Sequence, residues 1–375
     1  MRIGIDARFY GPGTKGLGRY TEKLIQYLEE QDRQNEYTVF LRKETWEGFK
    51  PAPNFKKVLA DYRWYSPAEQ IALPSLIRKQ RLDLMHFPHF NVPLVFRGKF
   101  VVTIHDLILS HFPTERASTL GPFLYGLKHR VYQAVISQAV KKSAKIITVS
   151  HYSKKQIMDD FGVPADKITV TYEATSDFKP TPAEVNARRF FEKFGFKPPF
   201  LLYVGNAYPH KNLEKLLAVF RTLVTKKGYD MNLVLVGKMD YFFSRLKNLV
   251  DELKLGGRVF FPGYLPDEEL KFIYQKALLY VFPSLAEGFG LPPLEAMAQG
   301  LPVAASRSSC LPEVLGEAAY YFEADDEESM LYALMRLIDD KDLRVDLRQK
   351  GFKQVKKYSW PDLAAKTLEV YQSVI

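Results

Sequence analysis

The chain has 375 residues, 46% hydrophobic and 26% charged, which excludes extensive disorder and makes two domains the expectation. Its one cysteine, Cys310, excludes an internal disulfide and fits a reducing cytoplasm. Charge is uneven: residues 1–180 hold 27 Lys+Arg against 18 Asp+Glu, and the remainder 26 against 25, so a basic half precedes a nearly neutral one.

From the amino end, "RIGIDARF" reads as a strand and "GLGRYTEKLIQYLEEQ" as a helix with Leu17, Tyr20, Leu24, Tyr27 and Leu28 on one face. Between them Gly11-Pro12-Gly13-Thr14-Lys15-Gly16 matches G-x-G-x-x-G. A dinucleotide site is disfavoured, because the glycines come late after the strand and the second strand ends in Arg42-Lys43, where a ribose would want an acid. The segment reads instead as a glycine-rich loop at a helix start that faces a phosphate or sugar, or as a plain connection. "YTVFL", "LDLMHF", "KFVVTIHDL" and "AKIITVS" follow as short apolar runs of the kind that parallel strands bury. His105 closes one of these strands, where cleft residues of such sheets gather, and could either hydrogen-bond a sugar hydroxyl or be structural. Ser150 closes another and is a further candidate to line the cleft and bind the donor. His86 and His89 are spaced i, i+3 with no third ligand nearby, so no metal site is expected there.

A polar stretch, "SDFKPTPAEVNARR", then leads into the same grammar again: "PFLLYVGN", "MNLVLVG", "RVFFPGY", "ALLYVFPS" and "LPVAAS", each followed by a helical pattern. Strands alternating with helices imply two Rossmann-like parallel-sheet domains, an α/β architecture with a ligand cleft between them. After "LLYVG", Lys211-Asn212 opens a helix. A lysine there is unfavourable beside the positive end of the helix dipole, unless it meets an anion such as a phosphate. In "EGFGLPPLEAMAQG", the double proline suits a helix beginning near residue 293. The amides of Phe289, Gly290 and Leu291 then precede that start and can cradle a diphosphate. Glu287 and Glu295 flank the cradle. Each carboxylate can accept two hydroxyl hydrogen bonds at once, which suits a transferred sugar and a nucleotide ribose. A hydrolase's acid pair is the alternative, since sequence spacing does not give their separation in space.

These residues resemble the retaining GT-B-fold glycosyltransferases of family 4, through the E-x7-E block "EGFGLPPLEAMAQGLPVAAS". The similarity spans nearly the whole chain through "GLGRYTEKL", "TIHDL", "VGNAYPHKNL", "SSCLPEVLGEAAYYF" and "YSWPDLAAKTLEVY". The resemblance implies that Glu287 contacts the donor sugar and Glu295 the ribose. Lys211 would neutralise the diphosphate together with the 289–291 amides, with Gly205 and Asn212 beside it in the donor site. Gly16 would let the first loop approach, and His105 would hydrogen-bond the donor sugar. The helix after Trp360 would cross back onto the first domain. Many relatives carry an arginine where this chain has Asn206, so phosphate neutralisation falls more heavily on Lys211, with His210 as a candidate helper.

The domains are placed at 1–178, completed by 360–375, and at 179–359. The activity expected is hexose transfer from a nucleoside diphosphate sugar to a glycan or polyprenyl-diphosphate-linked acceptor held by the basic domain, the resemblance through "YPHKNL" and "TIHDL" being to bacterial mannosyl- and rhamnosyltransferases of surface polysaccharides, with mannose the sugar favoured. No cofactor or metal is expected, the one D-x-D (Asp340-Lys341-Asp342) lying on a polar helical surface. A same-fold epimerase or phosphorylase and a non-catalytic sugar-nucleotide-binding protein are the rivals. No run approaches the roughly 18 apolar residues of a membrane span, so the expected location is cytoplasmic, with the basic half against an anionic inner-membrane face. No nucleic-acid-binding signature appears.

Overall fold

Short apolar strands, most of them followed by a helix, build two parallel sheets. A computed structural model describes residues 1–11, 15–112, 122–175 and 185–374. Positions 12–14 of the glycine-rich loop and 176–184 of the polar stretch lie outside the described residues. The chain forms two compact units, Met1–Glu173 with Ser359–Ile375, and Ala174–Tyr358.

The first unit runs β1 (Arg2–Asp6), α1 (Lys15–Gln31), β2 (Glu36–Leu41), α2 (Lys43–Trp46), β3 (Phe55–Leu59), α3 (Pro67–Lys79), β4 (Leu84–Phe87), β5 (Phe100–Ile104), α4 (Ile108–His111), α5 (Pro122–Lys142), β6 (Lys145–Thr148), α6 (His151–Phe161) and β7 (Ile168–Val170). The second runs α7 (Ala187–Phe194), β8 (Phe200–Val204), α8 (Leu213–Thr225), β9 (Asn232–Val236), α9 (Tyr241–Glu252), β10 (Val259–Gly263), α10 (Asp267–Lys276), β11 (Leu279–Phe282), α11 (Leu291–Ala298), β12 (Val303–Ser306), α12 (Leu311–Leu315), β13 (Ala319–Phe322), α13 (Glu327–Asp339) and α14 (Lys341–Val355). A last helix, α15 (Trp360–Ser373), belongs to the first unit.

The sheet orders are β3-β2-β1-β4-β5-β6-β7 and β10-β9-β8-β11-β12-β13. Both reverse direction beside their first strand, between β1 and β4 in one unit and between β8 and β11 in the other. Such a switch point parts the loops at the carboxyl ends of the strands and leaves room for a ligand. Ile3, Ile5, Phe87, Val101, Val102, Ile146 and Ile147 are buried in the first sheet, and Leu201, Leu202, Leu233, Val234, Tyr280 and Val281 in the second.

α15 packs on α1, buries Trp360, Leu363, Val370 and Tyr371, and sets the Tyr371 hydroxyl 2.7 Å from His86 Nδ1. His86 Nε2 lies 2.9 Å from Thr103 Oγ1, so this ring is spent inside the first unit. Three strands were not expected from the sequence: β3, β7 and β13. All three are sheet edges with mixed burial, and β3 and β7 also lack the continuous apolar run of a central strand. The expected helix start near 293 is also corrected. α11 begins at Leu291, because Gly290 adopts φ +92° and turns the chain directly into the helix, with both prolines in its first turn.

Candidate active site

The switch point of the second unit collects the residues that carry chemistry. After β8 the chain passes Gly205, where an added Cβ would lie 2.7 Å from the Tyr203 hydroxyl, so only glycine fits without displacing that phenol. A single turn, Pro209–Lys211, then presents Lys211 before Asn212 takes a left-handed φ of +60° and α8 begins. The Asn212 amide donates to the carbonyls of Pro283 (3.2 Å) and Ala324 (2.9 Å), tying this turn to the exits of β11 and β13. The Leu285 amide donates to the His210 carbonyl at 2.7 Å. Residues 76 apart in sequence are thereby set side by side: Lys211 Nζ lies 2.6 Å from Glu287 Oε1. The two side chains are 12% and 9% exposed, so the pair sits at the edge of solvent.

Phe282 lies under the ammonium, its ring centroid 5.7 Å from Nζ. The Glu287 amide donates to Ser309 Oγ at 2.9 Å, which fixes the carboxylate's backbone. Glu295 falls in the second turn of α11, not the first as the sequence suggested, because the helix begins earlier. It is 5% exposed, and the Tyr274 hydroxyl donates to its Oε2 at 3.3 Å. Burial, and after it the Glu287 charge, raise the Tyr203 phenol well above its ordinary value. The Phe289 ring is buried edge-on against Tyr358 with centroids 5.4 Å apart, which leaves its backbone as the part able to serve a ligand.

His210, the candidate helper, is not a second cation. Burial, and then the neighbouring Lys211 charge, outweigh Glu287 and push it down to about 4. It is neutral near pH 7, and Lys211 is the cation this turn supplies.

In the first unit, His105 follows β5 and is 18% exposed. Ser150 is fully buried and caps α6, its hydroxyl accepting from the Ser153 amide at 3.1 Å. The strand-end role expected for Ser150 is therefore corrected to that of a cap, whose oxygen is turned into the helix start. Gly16 is exposed, and a Cβ there would meet nothing within 4 Å, so the described residues place no steric demand for glycine. Sequence reasoning missed Ser309, Tyr274, Glu173 and the buried set Asp6, Arg8 and Glu69. Their only signal was position after strands or on helices, which many solvated residues share. Asp340 caps α14 by accepting from the Leu343 amide. Among the described residues, no three His, Cys, Asp or Glu side chains come together as a metal site would require.

Each unit is a Rossmann-like parallel sheet, the pair of units that GT-B glycosyltransferases also have, and a cation and a carboxylate meet at the switch point of the second. The fold is shared with sucrose-phosphate synthase of Thermosynechococcus elongatus, at a TM-score of 0.78 and 19% identity over 100% of this chain and 99% of that one. Residues 14–175 match "Glycosyltransferase Family 4" and residues 186–354 match "Glycosyl transferases group 1". The chain is 28% identical to O-antigen chain mannosyltransferase B of Escherichia coli, covering 95% of this chain and 96% of the relative. It is 30% identical to O-antigen chain mannosyltransferase RfbU of Salmonella typhimurium, covering 73% and 70%. The protein belongs to the family 4 glycosyltransferases.

Proposed function

We propose that this glycosyltransferase moves a hexose, mannose by likeness to its relatives, from a nucleoside diphosphate sugar to a lipid-linked or surface glycan, with retention and without a metal. The observation that carries the reading is the accessible Lys211–Glu287 pair at the β8/β11 switch point. Breaking the sugar–phosphate bond gathers charge on a departing diphosphate. A fixed ammonium then stabilises the transition state more than the ground state, which is what accelerates the step. Lys211 would turn from Glu287 towards the phosphates, and the amides at 289–291 would share the charge at the start of α11. Glu287, released from Lys211, would accept hydroxyl hydrogen bonds of the donor sugar, and Glu295 those of the ribose. The basic first unit would hold the acceptor, whose diphosphate its excess charge suits, at a cytoplasmic membrane face. No described helix is long and apolar enough to cross a membrane.

The test is thermal shift against UDP-, GDP-, ADP- and dTDP-sugars, followed by product analysis with glycan acceptors. The expected result is one stabilising donor whose sugar appears on the acceptor with its anomeric configuration kept, at a rate unchanged by EDTA. An inverted product or loss of rate in EDTA overturns the corresponding part of the reading. Turnover of donor without any acceptor overturns the whole.

A further inference from the structure

Both nitrogens of the His105 ring face oxygen atoms. Nδ1 is 3.1 Å from Glu173 Oε1, and Nε2 is 3.0 Å from the Pro88 carbonyl oxygen. A neutral imidazole has one N–H, and a carbonyl has none to give. The Nε2 contact therefore takes the one hydrogen of a neutral ring, and the Nδ1 contact needs a second proton. That proton sits on the more basic partner, and imidazole is more basic than carboxylate by about two units.

We infer that His105 is carried as an imidazolium, donating Nδ1–H to Glu173 and Nε2–H to Pro88, and that Glu173 is the positioning residue that holds this charge and ring orientation at the exit of β5. Glu173 is 8% exposed and ends the first unit, just after β7. Other groups pack around the ring. From α1, Tyr20 meets it edge-on with centroids 4.6 Å apart at 89°, its hydroxyl turned to Thr103 at 3.1 Å. Asp106 follows in the chain and favours the charged form. His86 of β4 and His89 after it are each pushed to about 3, by burial and then by the His105 charge, and stay neutral. From α6, the Ser153 hydroxyl donates to the His105 carbonyl at 3.2 Å. Burial alone would lower His105; the Glu173 hydrogen bond and charge, the Pro88 carbonyl and Asp106 together raise it.

One consequence rests on the transferase reading. If His105 serves the reaction, it does so as a fixed cation with both N–H groups engaged, so a substrate hydroxyl that uses this ring must displace the Pro88 carbonyl or the Glu173 carboxylate. The charge state itself does not depend on that reading.

The test is a pH titration of the full chain labelled with ¹⁵N-histidine, the His105 signals being assigned by their loss in His105→Gln. Both ring nitrogens should be protonated at pH 7, with a midpoint above the ordinary 6.5. Glu173→Gln is nearly isosteric and its amide can donate to Nδ1. It should lower the midpoint by about one unit or more. With donor and acceptor, kcat/KM should fall on the alkaline side at the parent midpoint, and that limb should move to lower pH in Glu173→Gln. A merely structural glutamate would leave the limb in place. An unprotonated ring nitrogen at pH 7, or a midpoint unmoved in Glu173→Gln, overturns the inference. If the variant does not fold, the parent titration decides. An imidazolium signal in a chain that transfers no sugar overturns the transferase reading and leaves this one standing.

Discussion

The two units place a cation–carboxylate set at the same topological point and use it in opposite ways. Beside β1, Arg8 donates Nη2–H to Asp6 Oδ2 at 2.7 Å, its Nη1 is ion-paired with Glu69 Oε1 at 2.7 Å, and none of the three side chains is more than 5% exposed. Asn91 donates to Glu69 Oε1 at 2.7 Å and closes the set. Beside β8, Lys211 has one carboxylate partner at the solvent edge. A guanidinium enclosed by two acids is consumed within the unit and fixes the loops after β1 and β4. An ammonium with one acid can exchange it for a phosphate. Partner number and exposure, rather than the presence of an ion pair, separate the structural set from the one proposed to react.

Removing Arg8 should have the largest effect on folding. Arg8→Ala leaves Asp6 and Glu69 buried without a counter-charge and should cost about 3–5 kcal/mol in a denaturant titration. A loss near zero would mean that water already reaches the set. Lys211→Ala should do the reverse, lowering turnover about 10²–10³-fold while the melting temperature stays close to the parent's. Near-normal turnover would break the contrast between the two switch points.

Acid should expose a further asymmetry. His86 is held at about 3, so the unfolded chain binds its proton first, and stability is lost as pH falls from about 6.5 towards 3. His86 alone should contribute roughly 3 kcal/mol of that loss by pH 4, His89 and His210 adding to it, and His86→Gln should make the slope shallower. His105 has the opposite sign. Its raised value adds stability that is full below about 6.5 and is lost as pH rises through the folded value, as calorimetry at alkaline pH would register. The smallest effect expected is for Ser150→Ala. Losing the α6 cap should cost about 1 kcal/mol, with unchanged turnover per folded molecule. A drop in donor affinity would return Ser150 to the binding site.

The legible parts were those with a strong physical signature. Central strands such as "VVTI" and "LLYV" are apolar on both faces and announce themselves, whereas β3 ("FKKVL") carries two lysines because an edge faces solvent on one side. Lys211 and Glu287 were each legible from their place after a strand. Their pairing was not, since it depends on how β8 and β11 lie together. His210 misled because a histidine beside a lysine looks like a second cation, and only burial reveals that it is neutral. Glu173 gave no signal at all: it follows "TVTY" in a stretch that reads as a connection, and its importance comes from the ring it meets.

The return of α15 has a consequence for biogenesis. The second unit is one unbroken segment, Ala174–Tyr358, whereas the first needs Ser359–Ile375 to cover α1 and to give His86 its tyrosine. During synthesis the unit translated first is therefore the one that must wait, with the α1 face bare until the last helix clears the ribosome. A fragment cut at 173 would carry the same bare face, and grafting 359–375 behind it is the way to express that half alone.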